Sequence, residues 1–309
     1  MFSIFKRKKD IPEIPKWASF FNRAEYQDFV SAVENYFYAK NVTYDFGDGV
    51  LNAGPNDFGF STLGLINVAQ VCKQNEQSDY TQIIKEHFDC LIRADLFDKE
   101  FKQIVHNYEE VKQYIGTRLY STDLFLQVEK EKILGIDFAG DVFKTLIFDL
   151  PDSISWITPD QVDKWNKSLD ELFEMGIQNI KNKYPLDISQ QKFDEFKIWF
   201  IQGDHFFTPN IVFDLNNQQK LIGSKGSLIG IPHRHAVIIY PIENIEVVKA
   251  INTLIPVVNG MYEEGPGSVS NNLFWYQNGK FENLPYKIED NKIQFYPQEN
   301  FTAMLNTLT

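Results

Sequence analysis

Phe274-Trp275-Tyr276-Gln277-Asn278-Gly279-Lys280-Phe281 is the strongest local signal in this chain. Aromatic residues flank an Asn-Gly pair, and both of those residues tolerate the positive φ that a two-residue turn between twisted antiparallel strands demands. The stretch predicts a β-hairpin. Upstream, Asn244 is placed to cap a helix that buries Val247, Val248, Ile251, Leu254, Ile255 and Val258, with Pro256 inside it. Before that, residues 235–240 read as a strand. Residues 223–230, rich in Gly and Ser, read as a loop, and 211–215 as a strand or the end of a short helix.

Further upstream, 196–201 reads as a strand followed by a Gly203-Asp204 turn. The clearest helix start is Thr158-Pro159-Asp160-Gln161. Thr158 caps, Pro159 sits where a missing N–H costs nothing, and Gln161 can reach back to the cap. A stripe of Val162, Trp165, Leu169, Leu172, Phe173, Ile177 and Ile180 predicts one helix continuing to Pro185. Strands are expected at 119–126 and 144–150. Near the start, Asn22 and Glu25 form a capping box before Tyr26, Phe29, Val30, Val33 and Phe37. A strand pair about Gly47-Asp48-Gly49 follows, then helices near 63–71, from 79 and over 99–114.

Strands alternate with helices, but without repeated βαβ units or a glycine-rich first turn. The expected class is α+β, built as two mixed helix and sheet lobes and not a Rossmann fold. The expected division is a basic tip over 1–16, one lobe over 17–112 and a second over 113–309.

The order of these segments resembles the bacterial DUF1444 family of uncharacterised cytoplasmic proteins. The similarity lies in the first strand pair and the helix over 79–91, then in Lys144-Thr-Leu-Ile-Phe-Asp-Leu150 followed by Ile157-Thr-Pro-Asp160 and the Trp165–Leu169 segment. It continues in Ile231-Pro232-His233 leading to Ala236-Val-Ile-Ile-Tyr240, and in Asn278-Gly279-Lys280. It runs from about residue 29 to 285 and implies a bacterial cytosolic origin, with no catalytic residue to carry over.

The balance of 30 basic against 42 acidic residues gives a net charge of −12, which opposes unspecific binding to a phosphate backbone, so no nucleic-acid partner is expected. Cys72 and Cys90 have no CxxC spacing and read as inert thiols of a cytoplasmic protein. No stretch of eighteen apolar residues spans a membrane. Phe2, Ile4 and Phe5, beside Lys6-Arg7-Lys8-Lys9, offer at most a weak contact with a membrane surface.

The most interesting spacing is His233-Arg234-His235 at the mouth of a strand, where residues two apart face the same way. With His205 and Asp204 on a loop after another strand, these residues are the candidate metal ligands, and zinc is the ion such a set would take. Otherwise no cofactor is expected. Gly223-Ser224-Lys225-Gly226 can be read as an anion cradle, although its Lys-Gly order departs from a P-loop. There is no nucleophile elbow. Trp156, Trp165, Trp199 and Trp275 can be read as an aromatic face for a protein partner. The leading expectation is a non-catalytic accessory or interaction protein. The alternatives are a metal-assisted hydrolase using the histidines and a peripheral membrane protein docking through the tip.

Overall fold

The structure is a computed structural model that describes residues 13–126, 128–193, 195–289 and 292–308. The apolar and basic residues of the N-terminal tip lie outside these. The chain forms two compact units. One takes the described residues up to Gln103 together with Pro151–Ser153; the other takes Ile104–Leu150 and the described residues from Ile154 onward. The sequence places the division near residue 112; in the structure the first unit runs to Gln103 and regains Pro151–Ser153.

In the first unit, α1 (Arg23–Ala39) starts as its sequence dictates. The Asn22 N–H donates to Glu25 at 2.7 Å and the Glu25 N–H donates back to Asn22 at 3.0 Å. Strands β1 (Tyr44–Phe46), β2 (Val50–Ala53) and β3 (Thr62–Gly64) form an antiparallel sheet in that order, and α2 (Ile66–Lys73) follows. Next comes α3 (Tyr80–Ile104), one 25-residue helix where two were expected. No Gly or Pro interrupts it, and the i,i+4 pairs Lys85–Asp89 and Asp95–Lys99, each at 2.6 Å, support its exposed side. Phe29, Val33 and Phe37 of α1 are buried with Leu51, Ala69, Cys72, Ile84 and Phe88. The Phe37 ring centroid lies 4.9 Å from Phe88 and 5.4 Å from Phe58.

The second unit begins with the single turn α4 (Tyr108–Val111). Strands β4 (Ile115–Ser121), β5 (Gly135–Ala139), β6 (Val142–Asp149) and β7 (Ile154–Trp156) then form a sheet in which β6 pairs antiparallel with each of the others. The helix expected from 158 to 184 is two helices, α5 (Pro159–Trp165) and α6 (Leu169–Lys183). Asn166 turns left-handed at φ 50°, and Ser168 with Glu171 forms a fresh capping box for the second.

The remaining elements are β8 (Asp187–Phe193), β9 (Phe196–Gln202), β10 (Ser227–His233), β11 (Ala236–Pro241), α7 (Val247–Glu264), β12 (Leu273–Gln277) and β13 (Lys280–Leu284). A small hairpin of β14 (Tyr286–Glu289) and β15 (Lys292–Phe295), then α8 (Glu299–Leu305), complete the described chain. A six-stranded sheet runs β13-β12-β10-β11-β9-β8, and every pairing in it is antiparallel. All sheets of the described residues being antiparallel, the fold is α+β and not Rossmann.

Alternation sorts the central strands between two cores. Leu228, Ile238, Leu273 and Trp275 face α7, whose Val247, Ile251, Leu254 and Val258 are buried against them. Ile229, Ile231, Val237, Ile239, Phe274 and Tyr276 face the other way, toward Leu119, Val142, Val212 and Leu215. The segment expected as a loop over 223–230 therefore enters the middle of the sheet at Ser227. Gly230 has a packing reason: a Cβ there would lie 2.5 Å from Val258 Cγ2, so the missing side chain lets α7 approach. Residues 211–215, open between strand and helix in the sequence, fall across the 3₁₀ turns Thr208–Phe213 and Leu215–Asn217.

Candidate functional site

The turn between β10 and β11 presents His233, Arg234 and His235. It is held from outside its own hairpin: the Arg234 N–H donates to the Gly267 carbonyl at 3.1 Å, Val269 N–H to Pro232 at 2.9 Å and Ser270 N–H to Ile231 at 3.0 Å. The His233 and His235 rings come within 6.3 Å, centroid to centroid. Their nitrogens, however, face protein groups. His235 Nδ1 donates to the Gly203 carbonyl at 3.1 Å and its Nε2 accepts from Arg234 Nε at 3.1 Å. His233 Nδ1 accepts the His235 N–H at 3.2 Å. At His205, Nδ1 accepts the Phe207 N–H and Nε2 donates to the Pro185 carbonyl, both at 3.1 Å. Asp204 is exposed on the same loop.

This arrangement does not suit the metal reading of His205, His233, His235 and Asp204. Zinc needs three or four lone pairs aimed at one point, and both nitrogens of His205 and of His235 are occupied. Among the described residues no three His, Cys, Asp or Glu side chains are placed to hold an ion. Burial, then the neighbouring His235 and Arg234 charges, pull His233 down to about 4, and burial lowers His235 as well. Near neutral pH both rings are uncharged hydrogen-bonding groups.

Two arginines define the site, and Arg118 stands in no motif that the sequence shows. Arg118 lies in the middle of β4, opposite Thr145 of β6. Its guanidinium carbon is 4.5 Å from the Tyr120 ring centroid and 5.6 Å from that of Phe206; the guanidinium carbon of Arg234 is 4.1 Å from the same Phe206 ring. Burial disfavours the charge on each, and Arg118 further disfavours that on Arg234. What opposes this is the Tyr120 phenol; no carboxylate of the described residues contributes. Arg118 Nε is buried without an acceptor. On the 3₁₀ segment Thr208–Phe213, Thr208 Oγ1 and Asn210 Oδ1 are likewise buried and unpartnered, although Asn210 Nδ2 donates to the Thr117 carbonyl at 2.7 Å.

Two guanidiniums gathered at one aromatic ring, without a counter-ion, are costly to hold. Their planar forks match the oxygens of a carboxylate or phosphate. Phe206, exposed beside them, adds an apolar flank. Chemically, the cluster can bind and orient a compact anion.

The other candidates resolve differently. At the glycine-rich loop the Ser224 N–H donates to both carboxylate oxygens of Glu243 at 3.2 Å, while Lys225 and Gly226 N–H donate to the Ile242 and Gly223 carbonyls. Its donors are spent internally. The tryptophans do not make one exposed face, since Trp165 and Trp275 are buried. No helix of the described residues is long and apolar enough to cross a membrane.

Fold and site together define an antiparallel α+β protein whose second unit carries an anion-complementary arginine cluster. No family model matches the chain, and neither a curated protein nor a solved structure matches it.

Proposed function

We propose that this protein is a non-catalytic interaction module that recognises a compact anionic group, a phosphate or carboxylate, through Arg118 and Arg234. The observation that carries the reading is the pair of guanidiniums at Phe206, with no carboxylate opposing them and Arg118 Nε lacking an acceptor. Neutral His233 and His235 fit a role in holding Arg234 in place and not in proton transfer. The net charge of −12 favours small anions over extended polyanions, which the rest of the surface repels. Cys72 and Cys90 are both free thiols, which supports a reducing cytoplasmic setting. The segment order resembles that of the DUF1444 family, a likeness that assigns no residue a role.

Calorimetric titration with inorganic phosphate and with acetate at low ionic strength tests the proposal. Wild type is expected to bind at least one of them, more weakly as salt rises. Arg118→Gln and Arg234→Gln should each weaken binding at least tenfold, with far-ultraviolet circular dichroism unchanged. Binding by neither anion, or variants that bind like wild type, would end this reading.

A further inference from the structure

A second site lies away from the arginine cluster, in an open groove of about 520 Å³ between the β12–β13 hairpin and α8. That volume is within the ordinary range for small-ligand sites. Strand register explains its wall. Trp275 is paired with Glu282 and Gln277 with Lys280, so alternation sends all four side chains to one face of the hairpin. Trp275 is fixed there by donating from Nε1 to the Lys225 carbonyl at 2.9 Å and by edge contact with Phe301, ring centroids 5.3 Å apart. Lys225 thereby joins the wall, and Met304 of α8 adds apolar surface.

The charges in this groove are unpaired. One oxygen of Glu282 accepts from Asn300 Nδ2 at 3.3 Å, and the other is buried with no donor in the folded chain. Among the described residues Glu282, Lys225 and Lys280 have no ion-pair partner, either in one another or elsewhere. Residues carrying one carboxylate and two ammonium groups thus line a single groove without pairing with each other.

We infer that this groove binds a short zwitterionic peptide, its terminal ammonium at Glu282 and its terminal carboxylate at Lys280 and Lys225. Spacing supports a dipeptide. Lys280 and Glu282 are two residues apart on an extended strand, about 7 Å between Cα atoms, and two extended residues span about the same length. The edges that the largely buried Trp275 and Met304 leave at the groove take the apolar side chain, while Gln277 can meet the peptide amide.

The test uses the full chain and the dipeptide Ala-Leu, followed by saturation-transfer NMR and calorimetry, with N-acetyl-Ala-Leu and Ala-Leu amide as probes lacking one charge each. Ala-Leu is expected to bind, and loss of either terminal charge to weaken binding at least tenfold. Glu282→Gln should erase the preference for the free ammonium. A Lys225→Ala, Lys280→Ala double variant, altering only partly or fully exposed side chains, should erase the preference for the free carboxylate. No binding of Ala-Leu at millimolar concentration, or Glu282→Gln discriminating as wild type does, overturns the inference. Phosphate titration of the same Glu282→Gln protein should be unchanged, which separates failure here from failure at Arg118 and Arg234.

Discussion

Arg118 sits badly where it is, and that is what makes it informative. Its neighbours on β4, Thr117 and Leu119, are fully buried, and Thr117 gives its carbonyl to Asn210. On the opposite strand face, the Arg118 guanidinium packs on the Tyr120 and Phe206 rings, but it gives up hydration and gains no carboxylate in return. Retaining a charge there costs stability, and such costs concentrate where a ligand is held. Arg118→Met is therefore expected to melt at a higher temperature than wild type in phosphate-free buffer. Added phosphate should raise the wild-type midpoint by mass action and leave the variant's unmoved. Scanning calorimetry with and without phosphate checks both; a variant less stable than wild type without phosphate would make Arg118 a structural residue.

The β12–β13 hairpin shows what short-range chemistry fixes by itself. Asn278 at φ 49° and Gly279 at φ 78° turn the chain as their identities require. Nothing lies within 4 Å of where a Gly279 Cβ would be, so Gly279→Ala isolates the left-handed backbone cost. It is expected to lower unfolding free energy by about 1 kcal/mol, read as a fall in urea midpoint at constant slope. The α1 capping box was equally readable, because each partner is three residues from the other. The strands that differ from expectation depend on distant partners, whereas the break between α5 and α6 has the local cause of Asn166 and the Ser168–Glu171 cap. β10 reads as a loop in sequence because its Gly230 answers to Val258 on α7. β8, an edge strand with mostly polar outward residues, carried no apolar alternation to see. At the site, the His233-x-His235 spacing was visible, but not the carbonyls of Gly203 and Pro185 that occupy ring nitrogens. Nor could Arg118 be joined to Arg234 before both were seen at Phe206.

The aromatic core of α1, α2 and α3 belongs to the first unit, and the clusters on the two faces of the six-stranded sheet belong to the second. The apolar burial within these clusters stabilises each unit from its own residues. Phe37 is fully buried among Tyr44, Phe58 and Phe88, and Phe37→Ala should cost the first unit about 3–5 kcal/mol. Hydrogen exchange followed by mass spectrometry should show α1 and α3 losing protection while β10 and β11 keep theirs. Phosphate affinity should also persist, since Arg118, Phe206 and Arg234 all belong to the second unit. Equal loss of protection in β10 and β11 would mean that the two units unfold as a single cooperative block, and a ligand at the arginine cluster would then stabilise the first unit as strongly as the second.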